Sequence, residues 1–296
     1  MLEFYLVGRG VSYSLSPVMY EWFFSEAGLT ASYSILEVPS RKSLPGAVEW
    51  LRGRARGFNV TIPYKRAITP LLDETSDAAS RIIGAVNTVV VRGGRLSGYN
   101  TDWLGFKVTL EEEMRGEGLE VSEAVLVGYG GAARAALYAL ARLGFRHVHI
   151  VGRSTLRARD LALEAREWGE WSLTWGPLHG GSPGGTGSGY LLVNATPMGS
   201  CGVEWLVSPC GLVGEASIVY DMVYYPVETP LIRCARARGI PSVNGLEMLA
   251  GQASFNLRVW LGVGVEWGRL YSIASMRAVR GCRGRGPRVN RGVNRG

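Results

Sequence analysis

"AVLVGYGGAARAALYALARLGFRHVHIVGRST", residues 124–155, decides the architecture of the second half of this 296-residue chain. An apolar run enters a glycine-rich turn, an Ala/Leu stretch follows, and a second β-branched run closes the unit within about 30 residues, the span of one βαβ crossover. Gly128, Gly130 and Ala133 fit the spacing G-x-G-x-x-G/A. The first glycine permits a tight turn, the second lets backbone approach a pyrophosphate, and the small third residue lets helix and sheet pack closely. The amino end of the helix then faces the phosphates. Further strands are expected in "WSLTW" (171–175), "YLLVNAT" (190–196) and "SIVYDMV" (217–223). Alternating strands and helices predict a parallel sheet covered on both faces.

The second strand of the unit continues as "GRSTLR" (152–157). An NAD site usually carries an acid here for the ribose 2′-hydroxyl. Arg153, Ser154 and Arg157 stand there instead, and two guanidiniums suit a 2′-phosphate, so NADP is the expected cofactor. Their place at a helix start opposes the macrodipole, which argues against a merely solvated basic turn. "GGSPGGTGSG" (180–189) lacks the Lys-Ser/Thr ending of a phosphate loop and reads as a flexible connection.

Residues 1–100 alternate strand-like runs, "EFYLVG" (3–8), "SYSILEV" (32–38) and "GFNVTI" (57–62), with helical "PVMYEWFFSEAG" (17–28) and "KSLPGAVEWLRG" (42–53). "NTVVVRGGRLSGYN" (87–100) is a hairpin around Gly93-Gly94. "TDWLGFKVTLEEEMRG" (101–116) is a helix capped by Thr101 or Asp102. In "GFNVTIPYKR" the alternation gives Phe58, Val60 and Ile62 one face and Asn59 and Thr61 the other. Pro63 suits the first position of a short helix. Lys65 and Arg66 would then occupy its first turn, the end that disfavours cations.

The net charge of +7 has a local source: residues 277–296 hold seven Arg and no acid, and without them basic and acidic residues balance at 25 each. The tail reads as disordered and dispensable. It lacks the aromatic platform of a nucleic-acid binder. No apolar run is long enough for a membrane span. The start "LEFYLVG" lacks a signal-peptide plan, so a cytoplasmic protein is expected. Cys201, Cys210, Cys234 and Cys282 form no metal pattern and read as reduced thiols, with a Cys201–Cys210 bridge as the alternative. No metal is expected. His147, His149 and His179 lie away from the other motifs, so a dehydrogenase here needs a general acid other than histidine.

Polar clusters recur where strands give way to helices or turns. Ser14 and Ser16 lie in "SYSLSP", Asn87 in "GAVNT" and Asp102 in "NTD". Each has a local explanation: Ser16 with Pro17 makes a good helix cap, Asn87 a strand-start turn residue, and Asp102 a cap. Together with "FNVTIPYK", "GYNTD", "GYGGAARA", "NATPMG", "YDMVYYPVETPL" and "NGLEMLAGQA", they resemble in order the signatures of the shikimate dehydrogenase family, from residue 8 to about 260.

The resemblance implies reversible NADPH-dependent reduction of 3-dehydroshikimate to shikimate, in aromatic amino-acid biosynthesis. It implies an α/β fold with an N-terminal substrate domain (1–103, joined by 243–270), a Rossmann-type NADP domain (104–242), and a C-terminal helix returning to the first domain. Lys65 and Asp102 match the catalytic pair. Ser14, Ser16, Thr61, Asn87, Tyr224 and Gln252 match substrate contacts. Gly128, Tyr129, Gly130, Gly131, Ala132, Arg153, Ser154, Arg157, Met222, Gly245 and, less closely, Asp77 match cofactor contacts. Tyr13 and Tyr20 stand where the family commonly has histidines, Glu21 replaces its Asn, and "GRS" replaces its "NRT".

The partners expected are small molecules rather than membrane or nucleic acid, with a homodimer as one assembly. Lys65 would donate to the oxygen of the ketone being reduced, where negative charge grows. A helix terminus and Arg66 would favour its neutral amine, and Asp102 its ammonium. The alternatives are a quinate/shikimate dehydrogenase using NAD or NADP, and a non-catalytic binder on the same fold.

Overall fold

The computed structural model describes residues 1–179, 189–278 and 282. The first six strands, β1 (Leu2–Gly8), β2 (Ala31–Glu37), β3 (Gly57–Val60), β4 (Glu74–Thr75), β5 (Thr88–Arg92) and β6 (Arg95–Tyr99), form one mixed sheet in the order β2-β1-β3-β5-β6-β4. The next six, β7 (Glu123–Val127), β8 (His147–Gly152), β9 (Ser172–Pro177), β10 (Tyr190–Asn194), β11 (Ala216–Asp221) and β12 (Ser242–Asn244), form the other. Their order is β12-β11-β10-β7-β8-β9 and every pairing is parallel. Counted within that sheet this is the 3-2-1-4-5-6 arrangement of dinucleotide-binding folds, read from the opposite edge.

Among the described residues, ten helices connect and cover the sheets: α1 (Ser16–Glu26), α2 (Leu44–Arg52), α3 (Ala78–Ile83), α4 (Asp102–Gly116), α5 (Gly131–Arg142), α6 (Thr155–Glu164), α7 (Pro209–Val213), α8 (Pro230–Arg236), α9 (Gly245–Leu261) and α10 (Trp267–Ser275). The "VGYGGAARAA" segment folds as β7, turn and α5, as its pattern predicts, and the Gly93-Gly94 hairpin joins β5 to β6 with both glycines left-handed, at φ 55° and 77°. The chain then doubles back. After β12, α9 packs on the first sheet and α10 on α1 and α9; Leu257 and Trp260 share a core with Phe4, Tyr20 and Tyr33. α9 also crosses α4 closely: a Cβ on Gly105 would lie 2.6 Å from the Gln252 backbone nitrogen, and one on Gly251 3.1 Å from the Gly105 Cα.

Several expectations are corrected. No helix begins at Pro63; β3 ends at Val60, residues 61–67 form turns, and the next helical element is a short 3-10 turn at Thr69–Leu71. Lys65 and Arg66 therefore oppose no helix dipole. Phe58 and Val60 are buried as the alternation predicts, but Ile62 is 55% exposed and the polar Asn59 is only 5% exposed. The second face of β3 looks into protein, not water. Neither Thr101 nor Asp102 caps α4: Thr101 occupies the cap position without a side-chain bond, and Asp102 is the first helical residue. Ser16 likewise begins α1 instead of capping it. β4, β12, α3, α7, α8 and α10 have no counterpart among the sequence expectations.

The cysteines are paired, Cys201 with Cys282 and Cys210 with Cys234, and not free or joined as Cys201–Cys210. The glycine-rich connection (180–188) and the tail, except residues 277, 278 and 282, lie outside the described residues. No helix among the described residues is long and apolar enough to cross a membrane.

Candidate active site

A cavity of about 500 Å³ opens where the carboxyl ends of the second sheet face those of β1 and β3. That crevice, at the point where strand order reverses, is where open α/β sheets bind ligands. All eight residues matched to substrate and proton transfer line it: Ser14 and Ser16, Thr61 and Lys65, Asn87 and Asp102, Tyr224 and Gln252. Of the residues matched to the cofactor, Gly130, Gly131, Ala132, Met222 and Gly245 line the same cavity.

Lys65 Nζ donates to Asp102 Oδ2 at 2.6 Å, with the two side chains 17% and 6% exposed. The carboxylate sits in the first turn of α4, where the helix dipole favours an anion. Its other oxygen accepts from Asn87 Nδ2 at 2.9 Å. Asn87 Oδ1 in turn accepts from the Thr101 backbone N–H at 2.7 Å. Asp102 is thus held on both oxygens and offers Lys65 a fixed partner. Across the cavity, Ser14 Oγ lies 3.2 Å from Ser16 Oγ. Burial pushes the Tyr224 and Tyr13 phenols up, so both are neutral hydroxyls at physiological pH. Tyr13 stacks on Tyr225 with ring centres 5.2 Å apart.

On the cofactor side, Gly128 has φ 120°, and a Cβ there would lie 3.1 Å from the Ala195 carbonyl oxygen. The N-cap of α5 is Gly130, without a side-chain cap, so the first-turn N–H groups are left to a ligand. No atom lies within 4 Å of a Cβ built on Gly130, which leaves the approach open. This cradle fits a pyrophosphate. Gly131 touches the other half of the site, its would-be Cβ 3.4 Å from Lys65 Cβ. A Cβ on Gly245 would meet the Met222 carbonyl oxygen at 2.2 Å, so only glycine fits there.

Gly128, Tyr129, Arg153, Ser154, Arg157 and Asp77 do not line the cavity. Ser154 caps α6, its Oγ accepting from the Arg157 N–H. Arg153 and Arg157 are exposed at that helix start, with the Arg157 guanidinium 6.0 Å from the Tyr129 ring centre. The Tyr129 ring also covers Gly152, where a Cβ would lie 2.6 Å from it. Asp77 caps α3 through the Ser80 N–H at 2.6 Å.

Two further carboxyls shape the loops around the site. Asp221, fully buried at the end of β11, accepts from Asn194 Nδ2, the Val223 N–H and the Thr229 hydroxyl, and so fixes the loop carrying Met222 and Tyr224. Burial outweighs these bonds and raises its pKa to about 6. Glu247 accepts from the Asn244 N–H, closing a capping box, and burial raises it to about 7. A carboxyl whose pKa is raised on folding favours the native state while protonated and loses that advantage as pH rises. Stability should therefore fall between pH 4.5 and about 7 through Glu247. Glu247→Gln, which keeps the acceptor oxygen, should flatten that slope and stabilise the chain at pH 7 by on the order of 1 kcal/mol, allowing for partial exposure. Denaturant titrations of both proteins at pH 5 and pH 7.5 check this.

The sequence assigns no site role to Asn59, Thr101, Tyr13 or Tyr225, although Asn59, Tyr13 and Tyr225 line the cavity. The available signal was Asn59 itself, a polar residue within a short apolar strand.

Fold and site together define a dinucleotide-dependent dehydrogenase with a lysine–aspartate pair at its centre. The shikimate dehydrogenase substrate binding domain matches residues 6–89. The shikimate dehydrogenase (NADP(+)) of Aeropyrum pernix is 39% identical over 95% of this chain and all of its own length. A Thermus thermophilus shikimate 5-dehydrogenase, solved in complex with NADP(H) and shikimate, is 34% identical. It superposes with a TM-score of 0.78 over 93% of this chain and 99% of its own. A quinate dehydrogenase from Corynebacterium glutamicum, in complex with NAD, is 29% identical with the same TM-score, over 93% and 99%. The chain belongs to the shikimate dehydrogenase family.

Proposed function

We propose that this protein interconverts 3-dehydroshikimate and shikimate with NADP(H), using Lys65 and Asp102 as its catalytic pair. The observation that carries this reading is the 2.6 Å Lys65–Asp102 contact in a cavity also lined by Gly130 and Gly131. NADPH, when bound, supplies the hydride that adds to the ketone carbon. Lys65, as an ammonium, hydrogen-bonds the ketone oxygen as charge grows there, then gives it a proton. In the reverse direction its neutral amine takes the proton from the hydroxyl. Asp102 keeps the amine aimed. Ser14, Ser16, Thr61, Asn87, Tyr224 and Gln252 are the short polar groups that read the hydroxyls and carboxylate of the substrate.

The same reading assigns 1–103 with 243–270 to the substrate and 104–242 to the cofactor, bounds that fall inside α4 and β12 and so cut two elements of the fold. A cytoplasmic location accompanies the reading. A homodimer is the assembly to test, by light scattering. A spectrophotometric assay crossing shikimate or quinate with NADP or NAD tests the activity. Preference for shikimate with NADP supports it, and preference for quinate with NAD would replace it.

Arg153 and Arg157 are proposed to select NADP. A guanidinium–phosphate hydrogen bond contributes about 1.5–3 kcal/mol. Arg153→Ala should raise KM for NADP by about one to two decades. KM for NAD, which lacks the phosphate, should stay near its original value. Equal losses for both cofactors would assign the arginine to the fold or the shared adenosine.

A further inference from the structure

One layer behind the cavity, Asn256 of α9 is completely buried and uses its whole amide. Its Nδ2 donates to Tyr20 Oη at 2.7 Å and to Gln252 Oε1 at 2.8 Å. Its Oδ1 accepts from Thr88 Oγ1 at 2.7 Å and Thr101 Oγ1 at 2.6 Å. The sense of these bonds follows from groups that have only one role. The Asp102 carboxylate accepts, so the amide nitrogen of Asn87 faces it. The Thr101 backbone N–H donates, so the Asn87 oxygen faces that. Asn87 Nδ2 also reaches Gln252 Oε1 at 3.2 Å, and the Leu249 carbonyl takes Gln252 Nε2 at 3.1 Å. The Gln252 oxygen is therefore turned inward, toward Asn87 and Asn256. Asn256 must meet it with its nitrogen, and its own oxygen is left for the two threonines.

We propose that Asn256 is a positioning residue for substrate recognition. It consumes the oxygen of Gln252 inside the protein and so fixes Gln252 as an N–H donor to the cavity. A donor at that place reads an oxygen of a hydroxylated carboxylate. The close α4–α9 crossing at Gly105 and Gly251 brings the two residues within reach of Thr101. The Tyr20 hydroxyl completes the arrangement, since it takes the second N–H of Asn256 and is itself 3.3 Å from Asn59 Oδ1. The proposal rests on Gln252 being a substrate contact, as in the reading above.

The test is a cycle of Asn256→Ala, Gln252→Ala and the double variant, read as KM and kcat for shikimate and KM for NADP. Loss of one neutral hydrogen bond changes binding by up to about tenfold. Asn256→Ala should raise KM for shikimate by about that factor, with kcat changed less and KM for NADP unchanged. Acting through Gln252, it should add little in the double variant. Should the alanine variant fail to fold, Asn256→Ser carries the same test, because it keeps a hydroxyl for the threonine pair but has no amide for Gln252. If Gln252→Ala raises KM while Asn256→Ala and Asn256→Ser do not, or if the two effects add in full, the positioning role is overturned and the site reading stands. If Gln252→Ala itself leaves KM for shikimate unchanged, the substrate role of Gln252 falls and the proposal falls with it.

Discussion

Lys65→Ala should lower kcat by about 10²–10⁴-fold, the usual scale for loss of a positioned general acid–base, while KM for shikimate changes much less. Lys65 is the cationic partner of the buried Asp102, and that carboxylate is already committed to Asn87 through its other oxygen. None of the three histidines lines the cavity. Arg66 does, but a guanidinium stays protonated across the working range and cannot take a proton back. In the proposed function, substrate binding falls chiefly to the serine, threonine, tyrosine and amide side chains, which the substitution leaves in place. Lys65→Arg should fail nearly as badly, because it keeps the charge but cannot give up a proton. Steady-state rates in both directions decide the matter; near-normal turnover in the alanine variant would remove Lys65 from the chemistry.

Cys282→Ser should cost on the order of 4 kcal/mol of stability under non-reducing conditions. The Cys201–Cys282 bridge closes a separation of 81 residues, and the chain-entropy model gives a penalty of about that size for opening such a loop. This reverses the expectation that residues from 277 onward can be removed without effect. At about 2–4 °C per kcal/mol for a protein of this class, Tm should drop by roughly 8–15 °C. The bridge lies beside the cavity: the Cys201 N–H donates to the Tyr225 carbonyl at 3.0 Å, and both Ser200 and Tyr225 line the cavity. Scanning calorimetry with and without reductant is the measurement. The difference between wild type and variant should vanish once the thiols are reduced, and an equal Tm without reductant would show that the bridge adds no stability.

Local patterns carried much of this fold into the sequence. β7, its turn and α5 follow from glycine spacing and apolar runs within a short window, and the Gly93-Gly94 hairpin follows from two glycines that tolerate left-handed backbone. The failures share another property. The turn after Val60 reads as a helix because proline suits both, and nothing local separates them. β12 is three residues long and borrows its stability from β11. The cysteine pairings depend on which segments end up adjacent. The polar side chains tell the same story. Thr101 reads as a helix cap because its partner Asn256 is remote along the chain. Asn256 lies 155 residues from Thr101 and 168 from Thr88 along the chain, and only the α4–α9 crossing brings them together.

The return of α9 to the first sheet has a consequence for synthesis on the ribosome. Trp260 donates to the Val89 carbonyl at 2.9 Å and packs on Phe4 with ring centres 4.9 Å apart. Until that residue emerges, Phe4 and Tyr33 of the sheet and Tyr20 of α1 lack its cover. Translation runs at roughly 5–20 residues per second, so the interval between the end of β6 and the end of α9 lasts roughly 8–30 s. The strands made first are thus finished last, after the whole second sheet has been delivered. During that interval the nascent chain presents a broad aromatic surface, and a holdase waiting at the exit tunnel would find its target there.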